Sequence, residues 1–136
     1  MFIIVVGAGR LGSSLARSLV EAGHRVTVVD WSRQSFSWVE DLREVEFVLG
    51  TGIDTDVLRR AGAEEADALA AVTDNDNANI MIAQTAERMF HIGRVVARVN
   101  DPRNEALLAR FGIEAVCPTS IAADALSAAI RGEAKA

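Results

Sequence analysis

The sequence predicts a doubly wound α/β fold built on a parallel sheet. Three observations predict it: a β-branched apolar run at the N-terminus, the turn Gly7-Ala8-Gly9-Arg10-Leu11-Gly12 directly after it, and short apolar runs alternating with amphipathic segments to the end of the chain. Strands separated by helices pair in parallel through right-handed crossovers. The expected order is therefore six strands, 3-2-1-4-5-6.

Phe2-Ile3-Ile4-Val5-Val6 is continuously apolar, as a strand buried on both faces requires. Gly7 permits the tight turn that follows, Gly9 lets backbone approach a pyrophosphate, and Gly12 lets the next helix pack close to the strand. In that helix Leu11, Leu15 and Leu19 recur at i, i+4 and i+8, with Ala16 and Val20 beside them, and predict its sheet-facing stripe. Gly23-His24 ends it, and Arg25-Val26-Thr27-Val28-Val29 is the second strand. Asp30 stands 21 residues after Gly9, where an acid accepts both ribose hydroxyls. A glycine turn between two strands, closed by an acid, points to an adenine nucleotide on a Rossmann-type sheet. Its phosphates would sit on the free N–H groups and positive dipole end of the first helix.

The alternation continues. Phe36, Val39 and Leu42 mark the face of a second helix, and Glu46 to Leu49 is a third strand. Asp54 reads as the N-cap of a helix that buries Val57, Leu58 and Ala61 and stops at Gly62. Ala68 to Val72 is the fourth strand, a long helix runs from about Asp76 to His91, and Arg94 to Val99 is the fifth strand. Pro102 suits the first turn of a helix with Leu107, Leu108 and Phe111 inward. Glu114-Ala115-Val116 is the sixth strand, and a last helix spans about Thr119 to Arg131. This order sets strands one and four side by side at the switch point, where ligands bind beyond the carboxyl ends. Gly50-Thr51-Gly52, Thr73 to Asn77 and Asn100-Asp101 fall on that rim, with Thr73 and Asp74 expected to close over ribose and phosphates.

Bulk properties narrow the function. The 136 residues suit one domain, 1–136. Net charge is −5 from 14 basic and 19 acidic residues, without a basic stripe, so nucleic acid is not an expected partner. No apolar run approaches the roughly 20 residues of a membrane span, and a strand at the N-terminus leaves no room for a signal peptide. The single Cys117 excludes an internal disulfide and fits a reducing cytoplasm.

Several motifs together resemble a known family: the glycine turn, Gly23-His24 leading to Val28-Val29-Asp30, Gly50-Thr51-Gly52, and Leu58 to Asp67 (LRRAGAEEAD). They are similar to the potassium-transport nucleotide-binding domain, also called the TrkA N-terminal or RCK N-terminal domain. Ala71 to Asp76 (AVTDND) and Ala97 to Pro102 (ARVNDP) resemble its other hallmarks, so the likeness covers almost the whole chain. It implies a cytoplasmic regulatory subunit of a potassium channel or Trk/Ktr-type transporter, peripheral to the inner membrane through a membrane-embedded partner. It also implies NAD(H), ATP, ADP or AMP as ligand, and a homodimer or larger ring that pulls on the pore.

By that resemblance Gly7, Gly9 and Gly12 hold phosphates, Asp30 the ribose, and Thr73-Asp74 the cleft wall. Arg10 resembles an arginine that approaches phosphates, in some members from the facing subunit, and Arg98 the family's fifth-strand arginine. With Ala8, Leu11, Trp31, Thr51 and Gly52 these make the expected binding set. Many members have an acid where Thr51 stands, which points to a different contact at the adenine edge. A ligand-sensing domain usually follows in the family; if these 136 residues are the whole gene product, it must come from another chain.

The competing class is a small NAD-dependent oxidoreductase. The absence of tyrosine rules out a Tyr-Lys proton relay. His24 and His91 fall in a turn and at a helix end, and Cys117 reads as a small apolar packer rather than a nucleophile. No catalytic residue is expected, and a dinucleotide fold alone implies no chemistry. Asp74, Asp76 and Asp101 read as helix caps rather than cation ligands. Trp31 is expected to flank the adenine, and Trp38 to cap an edge or meet a partner. Ile80, Met81, Ala83, Gln84, Met89 and Phe90 spread over more than one face of the long helix. Ile121, Ala122, Ala125, Leu126, Ala129 and Ile130 do the same on the last, so both helices are expected at a homodimer contact.

Overall fold

Alternation along the first strand organises the molecule. In β1 (Phe2–Val6) Ile3 and Val5 belong to one buried apolar cluster, Ile4 and Val6 to another on the opposite face. The structure is a computed structural model that describes residues 1–133; residues 134–136, the tail of the expected domain, lie outside the described residues. The other strands are β2 (Arg25–Asp30), β3 (Val45–Leu49), β4 (Ala68–Ala71), β5 (Arg94–Arg98) and β6 (Glu114–Val116). They form one sheet in the order β3-β2-β1-β4-β5-β6, parallel throughout, with Val5 opposite Val28 on one side and Ala70 on the other. The expected order and class are observed.

On one face lie α2 (Thr55–Arg60), α3 (Asp76–Arg88) and α4 (Arg103–Arg110), whose Leu58, Ile82, Ala83 and Leu108 are fully or almost fully buried against Ile4, Leu69 and Ala97. Each such leucine or isoleucine stabilises the fold by roughly 1.5–3 kcal/mol. On the other face α1 (Arg10–Glu21) covers β1 and β2. The last helix, α5 (Pro118–Ile130), buries none of its residues, and Ile121, Leu126 and Ile130 are exposed. Among the described residues no helix is long and apolar enough to cross a membrane.

Four expectations are corrected. The sheet-facing residues of α1 are Gly12, Ser13 and Ala16, while Leu15 and Leu19 are half-buried and Leu11 is exposed. Gly12 causes this: its contact with the preceding turn sets the rotation of the helix, and small residues let it sit close. The leucine stripe instead faces an apolar groove of about 840 Å³ over β4, β5 and β6, beside Ile3, Ala70, Val96 and Val116. On this face no helix among the described residues covers that half of the sheet; α3 and α4 lie on the other.

The expected second helix is a 3-10 turn, Arg33–Trp38. Its Ser35 N–H bonds the Ser32 carbonyl and Val39 N–H that of Phe36, three residues back in each case. Serines at 32, 35 and 37 compete with the backbone for helical bonds, and so short a segment does not recover them. Phe36 and Val39 still pack inward, with Phe36 against Phe47 at 4.9 Å. In α4 only Leu108 is buried; Leu107 and Phe111 are partly exposed, because a two-turn helix at the sheet edge turns one residue inward. In α3 the surplus apolar face shrinks to Met81 and Met89, since Ala83 is buried and Ile80 and Phe90 pack on the core.

Candidate functional site

A cleft of about 910 Å³ opens at the carboxyl ends of β1, β2 and β4. Its floor is the turn after β1. Gly7 has φ +110°, and a Cβ there would lie 2.9 Å from the Thr73 nitrogen. A Cβ on Gly12 would stand 1.8 Å from the Gly7 carbonyl oxygen, so α1 rests directly on the turn. At Gly9 the space is open, with nothing within 4 Å of the Cβ position. Gly9 is the N-cap of α1 and offers no side chain to the first-turn N–H groups, nor does that turn carry an acid. Such an end presents donors and positive potential to an anion. The buried Ser13 hydroxyl donates to the Ala8 carbonyl at 2.9 Å and locks the turn to the helix.

Asp30 closes the far side. Its Oδ2 accepts the Ala8 N–H at 2.7 Å and its Oδ1 the Ser32 N–H at 2.8 Å. An ionised carboxylate has about four lone-pair positions. Two therefore remain, enough for two vicinal hydroxyls.

The third wall is the rim of β4 and β5. Asn79 on α3 is fully buried and makes four bonds there. Its Oδ1 accepts from the Thr73 N–H at 3.0 Å and hydroxyl at 2.6 Å, while its Nδ2 donates to the carbonyls of Thr73 at 3.0 Å and Arg98 at 2.8 Å. Thr73 thus holds its shape, and its hydroxyl is engaged within the protein. Asn75, rather than Asp74, caps α3 by accepting the Ala78 N–H at 2.9 Å. Asp76 reaches across to accept the N–H groups of Asn100 at 2.7 Å and Asp101 at 3.0 Å, and the Asn104 amide at 2.8 Å. Burial pushes the Asp76 carboxyl up, but these donors together outweigh it and hold it below the ordinary value. Asp101 is likewise held low, by the Arg103 side chain and backbone. Among the described residues no three His, Cys, Asp or Glu side chains gather as a metal site.

Of the residues expected in the site, Gly7, Gly9, Arg10, Leu11, Asp30, Trp31, Thr51, Gly52, Thr73, Asp74 and Arg98 line the cleft. Ala8 and Gly12 do not. Both are buried behind the turn, and the Ala8 N–H is consumed by Asp30 rather than open to a ligand. Trp31 is 77% exposed at the rim. The Arg10 guanidinium stands over the Trp38 indole, 5.7 Å from its centroid. The sequence gives no sign of Ser32, Ser35, Ile53 and Met81 in the lining, whereas Asn75 and Asn77, expected on the rim, do line it; the bolt Asn79 was also missed. Asn79 had a signal: it falls on the same helical stripe as Ile82, Ala83 and Ala86, where an amide must find buried partners. Cys117 is buried, with its Sγ 3.7 Å from the Asn100 carbonyl oxygen, and His91, three residues past the end of α3, is exposed at φ +53°.

Leu11, Val72 and Arg98 line both the cleft and the apolar groove. The two concavities share one wall.

A family model, the TrkA-N domain, matches residues 3–119. The chain is 43% identical over 124 residues to the Trk system potassium uptake protein TrkA of Streptomyces coelicolor, covering 91% of this chain and 56% of that one. It is 37% identical over 107 residues to the protein of the same name from Mycobacterium tuberculosis, covering 79% and 48%. The chain thus spans about half the length of these curated relatives. In fold it is similar to the TrkA-N domain of the inner membrane protein ybaL from Escherichia coli (TM-score 0.82, 23% identity, 92% and 93% covered). It also resembles the Kef CTD of Shewanella denitrificans in AMP-bound form (TM-score 0.82, 24%, 93% and 77%) and the GsuK channel bound to NAD (TM-score 0.71, 22%, 85% and 21%).

Proposed function

The chain belongs to the TrkA-N domain family, and we propose that it is a nucleotide-binding regulatory domain of a potassium transport system, a switch rather than an enzyme. The wall shared by cleft and groove carries this reading. A nucleotide in the cleft would press on Leu11, Val72 and Arg98 from one side, and whatever covers the groove would touch them from the other. A ligand moves an equilibrium by its differential affinity for two states, and contact through a common wall supplies such a difference.

The cleft suits NAD(H), ATP, ADP or AMP: open turn at Gly9, ribose acid at Asp30, and Trp31 beside it. Relatives described as bound to AMP and to NAD support that range, and the Trk system relatives support a role in potassium uptake. The partner is then a membrane-embedded channel or transporter subunit. The domain would sit in the cytoplasm and reach the inner membrane through that subunit. Residues 1–136 would act as one nucleotide-binding domain.

Self-association is part of the reading. The exposed Ile121, Leu126 and Ile130 of α5 and the uncovered groove are complementary apolar surfaces that a homodimer would bury. Calorimetric titration of the purified chain with NADH, ATP, ADP and AMP tests the binding claim. Micromolar or tighter binding of at least one is expected, and heat traces indistinguishable from buffer for all four would end it.

A further inference from the structure

Arg10 and Arg98 are the cations that line the cleft. Arg98 is tethered, its Nε donating to Asn100 Oδ1 at 3.1 Å. Arg10 has no carboxylate partner among the described residues. The first turn of a helix disfavours a cation, so an unanchored Arg10 would swing into solvent while the cleft is empty. Its anchor is the Trp38 ring.

Trp38 is itself fixed from α1. Arg17, seven residues beyond Arg10 and on the same side of the helix, donates Nη2 to the Trp38 carbonyl at 3.1 Å. It grips Asp41 through both terminal nitrogens at 2.9 Å. One helix therefore holds the end of the 3-10 turn by its backbone and stacks on it by a second side chain. Trp38 does not line the cleft; it stands behind Arg10. A guanidinium held over a ring at this distance keeps N–H donors free, so the contact and phosphate binding are compatible.

We propose that Trp38 is a positioning residue that holds the Arg10 guanidinium at the cleft mouth, and so favours nucleotides with a β-phosphate over monophosphates. The inference rests on the nucleotide reading above. With the ribose on Asp30 and the first phosphate at Gly9, a monophosphate ends at the turn, and a longer chain continues to Arg10. An exposed cation–π contact shifts such a preference about two- to five-fold.

The test is the ratio of ADP to AMP affinity, by calorimetry, for the full chain and four variants. Trp38→Leu is expected to lower the ratio two- to five-fold with AMP affinity unchanged, and Trp38→Tyr to retain it. Arg10→Ala is expected to lower the ratio further, and adding Trp38→Leu to it to change nothing more. A ratio unmoved in Trp38→Leu, equal losses for AMP and ADP, or an undiminished effect in the Arg10→Ala background would each overturn the inference while nucleotides still bind. Failure of the unaltered chain to bind either nucleotide would instead overturn the nucleotide reading, and this inference with it.

Discussion

The Asp30 carboxylate accepts the Ala8 N–H at 2.7 Å, so the acid at the end of β2 is tied to the glycine turn at the end of β1. One side chain thereby shapes the glycine turn and, in the proposed nucleotide site, would offer its remaining lone pairs to a ribose. Asp30→Ala is expected to weaken NADH or ADP binding about 10- to 100-fold, since hydrogen bonds to a charged group are worth roughly 1.5–3 kcal/mol. It also strands the partly buried Ala8 N–H, at a cost to folding of about 1–3 kcal/mol. For the same reason NADP, whose 2′-phosphate faces that carboxylate, is expected to bind less well than NAD. Calorimetry with each ligand checks the two binding outcomes and urea denaturation the folding cost, and unchanged affinity in Asp30→Ala removes the ribose assignment.

Two glycines in one turn separate folding from binding. Gly12→Ala places a Cβ 1.8 Å from the Gly7 oxygen, and overpacking of this kind typically costs about 1–3 kcal/mol, more where backbone cannot yield. Gly9→Ala meets nothing within 4 Å. Its urea midpoint is expected near that of the unaltered chain, with phosphate-dependent affinity reduced by the methyl group over the turn. Equal destabilisation of the two variants would contradict the packing described.

Asn79→Ala removes four hydrogen bonds and leaves the Thr73 N–H and the Arg98 carbonyl without their partner. Each buried group left unpaired costs about 1–3 kcal/mol, so a loss of roughly 2–4 kcal/mol is expected from urea denaturation. A variant within 0.5 kcal/mol of the parent, about the scatter of ordinary surface substitutions, would show that water replaces the amide.

Acid sensitivity follows from Asp76. Its folded pKa lies below its unfolded value of 3.8, so the ionised form is favoured by the fold. That stability is present above 3.8 and is lost as pH falls through the lower folded value. Asp101, held low by Arg103, acts with the same sign. The urea midpoint is expected to drop in acid below pH 3.8, and Asp76→Asn to start lower at neutral pH and drop less. Parallel curves for parent and variant would assign the acid transition to other carboxylates.

The sheet was legible because its strands are short apolar runs, most of them β-branched, separated by helical segments, and handedness leaves few orders for such a string. The cleft was legible because Gly7, Gly9 and Asp30 are demanded by backbone geometry and by a carboxylate's chemistry. Periodicity found the Leu11, Leu15, Leu19 stripe but not its target. A stripe reports that a face is apolar, and only the contact of Gly12 with Gly7 says which way it turns. Asn79 was missed because its partners come from two strands distant in sequence. The Arg10–Trp38 pair was missed because the second helix was expected to be regular, and a 3-10 turn directs its side chains differently.

We propose that nucleotide identity in the cleft is read out through the groove face to a second copy of the chain. Small-angle scattering of the purified chain, alone and with ATP, ADP and NADH, is the decisive measurement. A dimer without ligand is expected, with a profile that changes between nucleotides and a coupling of about 1–3 kcal/mol between ligand and dimer state. A monomer at micromolar concentration, or one unchanged dimer profile in every ligand state, would contradict it.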